Sequence, residues 1–174
     1  MKISKLYFLS FLLLSVVVVG CGVYSFTGVA ITANTISIQN FYNDANGGPP
    51  DMAQTFTNQI RDYYQQNTNL AFVAEEGEIQ IDGAVTGYRL APIAPSAGNS
   101  ALQGDAAALT RLTITVSATY INTTDPSFDF ENKQFSFYSD FDNSQNITAI
   151  EDQLINEIYE QIILDIFNAS VANW

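Results

Sequence analysis

Between Leu109 and Ile121 apolar and polar positions alternate without a break. Leu112, Ile114, Val116, Ala118 and Tyr120 share one side; Thr113, Thr115, Ser117 and Thr119 share the other. A period of two predicts a strand with one buried and one wet face. Threonine suits the wet face, because its branched carbon fits the pleat while its hydroxyl stays solvated. Thr35–Phe41 alternates in the same way, with Ile36 and Ile38 together. Glu78–Leu90 sets Ile79, Ile81 and Val85 against Gln80, Asp82 and Thr86. Gly83 and Gly87 fall on its apolar side, which predicts a bend or the close approach of a helix. Gln134–Phe141 reads as a further strand with Phe135, Phe137 and Phe141 inward.

Two segments change period. After Pro49-Pro50-Asp51, a helix start, Met52, Phe56, Ile60 and Tyr63 or Tyr64 recur at helical spacing. Asn146–Phe167 is a second amphipathic helix with Ile147, Ile150, Leu154, Ile158, Ile162 and Ile166 on its stripe. Glu151, Asp152, Glu157 and Glu160 lie largely off that stripe, Ser144 or Asn146 is available as its cap, and Asn168 as its stop. Turn-forming residues gather at Asn43–Pro50 and Asp125-Pro126, and Ala91–Ala108 reads as a long loop. The order is strand, helix, three strands, helix. A sheet with one apolar face needs a cover, and only the helices can supply it. The expected fold is α+β: a two-layer sandwich with two helices on one face of a mainly antiparallel four-stranded sheet.

The amino-terminal pattern is of another kind. Lys2 and Lys5 precede an apolar run from Leu6 to Val19, followed by Gly20-Cys21-Gly22. As a helix the run would span about 21 Å, short of a ~30 Å hydrocarbon core, so it reads as an export signal and not as a membrane span. Val18-Val19-Gly20-Cys21 resembles the lipobox of bacterial lipoproteins. That resemblance implies cleavage before Cys21, a diacylglycerol on its sulfur and an acyl chain such as palmitate on its new amino group. The chain divides into a cleaved signal at 1–20, a lipidated tether at 21–34 and a domain at 35–174.

Cys21 is the only cysteine, so no disulfide is expected, and the chain contains no histidine. Loss of Lys2 and Lys5 takes the formal charge from −12 to −14, with Arg61, Arg89, Arg111 and Lys133 remaining. A chain so acidic is not expected to bind nucleic acid or an anionic membrane surface through its general field. Catalysis has little to work with: the usual serine or cysteine triads need histidine, and Glu75-Glu76-Gly77-Glu78 reads as a solvated turn. Neither an enzyme nor a resident cofactor is expected. One constellation merits testing as a metal site. Asp140, Asp142, Ser144 and Glu151 stand at positions 1, 3, 5 and 12 of a calcium-type loop, but Gln145 replaces the glycine of the sharp turn. The segment before it also reads as a strand where that motif needs a helix, so no metal is expected.

The mature chain as a whole resembles the LptE family of lipopolysaccharide-assembly lipoproteins, in a Bacteroidetes-like form. The resemblance is carried by Cys21-Gly22-Val23-Tyr24-Ser25-Phe26, Thr35-Ile36-Ser37-Ile38 and Phe56-Thr57-Asn58-Gln59-Ile60-Arg61-Asp62. It continues through Arg111-Leu112-Thr113-Ile114, Phe135–Asp142 and the ending from Asp165 to Trp174. It implies a lipoprotein in the inner leaflet of the outer membrane, facing the periplasm. Its partner would be an LptD-like β-barrel, which it plugs and helps to fold, supporting lipopolysaccharide delivery to the cell surface. It also implies the two-helix, four-stranded fold. Lipopolysaccharide contact in the family is linked to basic residues near the strand loops, for which Arg89, Arg111 and Lys133 are the candidates here. The competing expectation is a stand-alone ligand- or calcium-binding lipoprotein.

Overall fold

The computed structural model describes residues 31–93 and 109–171. The expected export signal, Cys21, most of the expected tether, most of the loop expected at 91–108 and the last three residues lie outside them. The strands are β1 (Thr35–Ile38), β2 (Tyr42–Asn43), β3 (Ala71–Phe72), β4 (Ile79–Ile93), β5 (Leu109–Asn122) and β6 (Phe130–Asp142). The helices are α1 (Met52–Asn67), between β2 and β3, and α2 (Ile147–Ser170), after β6; a 3-10 turn, Pro126–Phe128, joins β5 to β6.

The sheet runs β3-β1-β4-β5-β6, with β2 pairing β4 beyond β1. β4, β5 and β6 are antiparallel, as expected. The other pairings are parallel, β3 on β1 and both β1 and β2 on β4. The expected four-stranded, mainly antiparallel sheet is therefore corrected to a mixed sheet of six. The cause is local. β2 and β3 have two residues each, too few to show a period, and the chain leaving β1 through α1 comes back in the same direction. β1 and β2 lie end to end along β4, with Ile38 opposite Ile81 and Tyr42 opposite Ala84. Val73 N donates to Ile36 O at 2.9 Å. One step further on, β3 has ended, and Arg61 Nη2 donates to Ile38 O at 2.6 Å instead. An interrupted ladder leaves a carbonyl that must find a donor, and Arg61 supplies it.

Both helices cover one face. Ile36, Ile79, Ile81, Leu112, Ile114 and Val116 of the sheet meet Phe56, Ile60, Ile158, Ile162 and Ile166, all fully buried. Each such side chain contributes roughly 1.5–3 kcal/mol by leaving water. Aromatic edges link the layers: Phe41 to Phe56 and Phe56 to Tyr159, each with ring centroids 4.9 Å apart. Deep in this core the hydroxyls of Tyr64 and Ser170 pair, 2.6 Å apart. α2 starts where Asn146 Oδ1 accepts from Thr148 N, so Asn146 and not Ser144 is its cap. It passes Asn168 and ends at Ser170.

The two strand glycines have different reasons. A Cβ on Gly83 would lie 2.6 Å from the Phe41 ring and 2.1 Å from Ser117 O, so a side chain from the β1–β2 edge, not a helix, excludes it. Gly87 follows a bulge between Val85 and Gly87. One extra residue reverses the facing of all that follow. Gly87 and Arg89 therefore face away from the helices, opposite Thr115 and Thr113, and Tyr88 turns inward. Gly87 was expected on the apolar side; the bulge moves it.

Candidate partner-binding face

The face of β4, β5 and β6 turned away from the helices is built by the odd residues of β5. Along its centre Thr115 lies between Gly87 and Ser136, and its hydroxyl is 3.1 Å from that of Ser136. Ser136 also reaches Ile114 O at 3.1 Å, and Thr86 Oγ1 donates to Gln134 Oε1 at 3.3 Å. These hydroxyls form a polar lattice on the sheet, able both to donate and to accept.

Toward the β4–β5 tip the character changes. Thr113 lies between Arg89 and Tyr138, Arg111 opposite Asp140, and Leu109 opposite Ile93. Arg111 and Asp140 form a fork: Nε to Oδ1 at 2.7 Å and Nη2 to Oδ2 at 2.8 Å. The same guanidinium stands 3.5 Å above the centre of the Tyr138 ring. The hydrogen bonds from Arg111 hold the Asp140 carboxyl below its ordinary range, and those to Asp140 raise Arg111. Tyr138 is 45% exposed, and Leu109 also reaches solvent. The tip thus gathers an aromatic ring, a neutralised ion pair and aliphatic side chains around Arg89. Among the described residues Arg89 has no ion-pair partner, since the one salt bridge is that of Arg111.

The three basic candidates are not brought together. Arg89 and Arg111 share the outer face, but Lys133 pairs with Ala118 on the helix side. Its ammonium sits 5.2 and 5.3 Å from the Phe130 and Phe135 rings. Seven residues of β5 separate its level from that of Arg111, roughly 23 Å at ~3.3 Å per residue. The four candidate calcium ligands also go separate ways. Asp140 is held by Arg111, and Asp142 Oδ1 accepts from Ser144 N at 2.7 Å, which with the Ser144 hydroxyl lowers its carboxyl. Glu151 Oε1 accepts from the Tyr88 hydroxyl on the helix side. Strand β6 runs into this segment, and among the described residues no three His, Cys, Asp or Glu side chains cluster to hold a metal. The stacking of Arg111 on Tyr138 was not legible in the sequence, because it depends on the register of β5 against β6.

No described helix is long and apolar enough to cross a membrane. Among solved structures, the chain is similar to the hypothetical protein CT253 from Chlamydia trachomatis, 5% identical, with TM-score 0.50, covering 81% of this chain and 99% of that one. That likeness shows a shared fold. Weaker similarity links it to PelC from Paraburkholderia phytofirmans, 9% identical at TM-score 0.47, covering 83% and 94% of the two chains. It also resembles the rare lipoprotein B from Shewanella oneidensis, 14% identical at TM-score 0.44, covering 78% and 90%. No curated protein matches the chain. The family model for lipopolysaccharide assembly, LptE, matches residues 33–170, nearly all of the two-layer domain. The chain belongs to the LptE lipopolysaccharide-assembly family.

Proposed function

We propose that this chain is a nonenzymatic outer-membrane lipoprotein, anchored through lipid on Cys21 and facing the periplasm. In this reading it plugs an LptD-like lipopolysaccharide-transport β-barrel, helps it fold, and so supports lipopolysaccharide delivery to the cell surface. The observation that carries the reading is the face of β4–β6 turned away from the helices, a hydroxyl lattice ending in an aromatic and aliphatic tip. A barrel lumen is polar and wet, so hydroxyls that donate and accept fit its wall. Tyr138 and Arg111 are residue types favoured at interfaces.

The chain's path supports the same orientation. Thr32 Oγ1 lies 3.1 Å from Thr124 Oγ1, so the tether enters at the β5–β6 turn. Nine residues lie between Cys21 and Ile31, and the ten steps reach at most roughly 35 Å. The β4–β5 tip stands at the other end of β5, whose 14 residues extend roughly 46 Å. The tip therefore points away from the anchored end.

Direct lipid contact narrows to Arg89, since Asp140 neutralises Arg111 and Lys133 faces elsewhere. Photo-cross-linking from position 115 in living cells tests the main reading: the adduct should contain a large outer-membrane barrel, and a monomer without one counts heavily against it. Cys21→Ser should move the protein from the membrane to the soluble fraction. Arg89→Ala should weaken lipopolysaccharide binding more than Lys133→Ala; the reverse order would refute the lipid assignment while leaving the plug untouched.

A further inference from the structure

The two edges of the sheet end differently. β3 closes one with two residues, and where it stops Arg61 takes the next carbonyl, that of Ile38. The other edge is β6, whose 13 residues pair with β5 alone. Backbone groups alternate in direction along a strand. Ile81 O and Val85 O are turned to the β1–β2 side, and Glu78 O to Thr123 N. Odd residues of β5 therefore bond to β4, and its even residues bond to β6. Ile114 stands opposite Phe137 and Val116 opposite Phe135, so the odd residues of β6 are the ones bonded to β5. The N–H and C=O groups of Gln134, Ser136, Tyr138 and Asp140 point out of the sheet. Among the described residues none of these groups has a hydrogen-bond partner. An open edge of this length is a template for another strand.

We propose that β6 pairs antiparallel with β6 of a second copy of this chain, about a two-fold axis at Ser136. The edge is complementary to itself in that register. Lys133 comes opposite Ser139 of the second copy, and Phe135 opposite its Phe137. Ser139 Oγ donates to Glu157 Oε2 at 3.3 Å, so the Lys133 ammonium arrives beside a carboxylate. Within its own chain Lys133 has no ion-pair partner among the described residues. The symmetry makes the ion pair twice and the aromatic pair twice, all on the helix side. On the outer side Asp140 comes level with Asn132, so no like charges are opposed. Moving the axis to Phe137 would set Lys133 opposite Phe141 and away from Glu157. The helix layers fit as well. α2 lies under β5 and β6, so its copy stands two strand spacings away, roughly 10 Å, the separation of packed helices. The acidic net charge opposes association, which makes the two Lys133–Glu157 contacts decisive. The edge is the flank of the sheet and not the face that carries Thr115, so this assignment stands or falls separately from the barrel reading.

Sedimentation equilibrium of the full chain, in detergent density-matched to the solvent, tests the pairing. The parent should show a concentration-dependent equilibrium between monomer and dimer. Lys133→Glu and Glu157→Lys should each weaken the dimer at least about tenfold, because two attractions become two repulsions, and the double swap should restore it. Ser136→Pro removes the central outward N–H and should abolish the dimer. Proline is tolerated on an edge strand where its nitrogen faces outward, so the thermal melt of this variant should stay cooperative. A dimer unmoved by Ser136→Pro, or a double swap as weak as the single variants, would overturn the assignment. A monomer at every concentration would refute the second copy and leave the edge to the strand of a different protein.

Discussion

At Gly83 a side chain has no space. The added carbon would press on Ser117 O and on the Phe41 ring, and the backbone oxygen cannot yield without opening the β4–β5 ladder. Gly83→Ala should therefore lower stability by about 1–3 kcal/mol, the usual range for overpacking, as a shift in the urea midpoint. Gly87→Ala has only Thr115 side-chain atoms to displace and should cost less. At the sheet tip, the residue-scale effect is electrostatic. Asp140 is held below its ordinary range by Arg111. A lowered carboxylate stabilises the fold above its unfolded value, near pH 4, and that contribution disappears as the pH falls through the lower folded value. Asp140→Asn should accordingly flatten the stability profile below about pH 4 and leave its shape near neutrality unchanged; a steeper acid limb in the variant would contradict this assignment.

Among the elements, α2 depends on a single side chain at its start. Asn146 is exposed and its carbonyl oxygen satisfies Thr148 N. Asn146→Ala should cost about 1 kcal/mol in thermal unfolding, and Asn146→Ser most of that less. Ser144 does not replace it, because its hydroxyl as well as its amide is turned to Asp142. The β4 bulge works at the same scale. By inserting Thr86, it turns Arg89 onto the side away from the helices and lets Tyr88 reach Glu151 on α2. The alternation on β5 was legible because thirteen residues repeat one rule. The bulge was not, because a one-residue shift is set by the partner strand. For the same reason Phe135 and Phe141 were legible as core, and Lys133 was not legible as separate from Arg111.

For the molecule as a whole, the tyrosines set an upper pH limit. Burial raises Tyr64, Tyr88 and Tyr159, and pushes Tyr120 up to about 12. An acid whose folded value is raised keeps its proton in the native state. Its contribution to stability is complete below the unfolded value near 10 and is lost as the pH rises through the folded value. Unfolding followed by circular dichroism should therefore fall together with phenolate absorbance above about pH 10. Tyr64→Phe should reduce the slope of stability against pH there, because one fewer proton is released on unfolding. An unchanged slope would mean that Tyr64 is not the buried group it is here, bonded to Ser170. At this scale α2 carries carboxylates and no cation, whereas on the sheet face Arg89 stands beside the neutralised Arg111–Asp140 pair.

Periodicity by itself determined the two helices, the three long strands and most of the residues that face the core; the family resemblance rested on particular residue segments, and the match over residues 33–170 bears it out. The elements follow from local rules, since a side chain's facing repeats every two or every 3.6 residues whatever the neighbour is. Only the tertiary structure decided the parallel edge formed by β1, β2 and β3, the bulge that places Arg89 outward, and the pairing of Arg111 with Asp140. It alone brought Gln59 and Asn156 together across 97 residues of chain. Each of these depends on which residue comes opposite another, and register is fixed by packing between elements that no single segment contains.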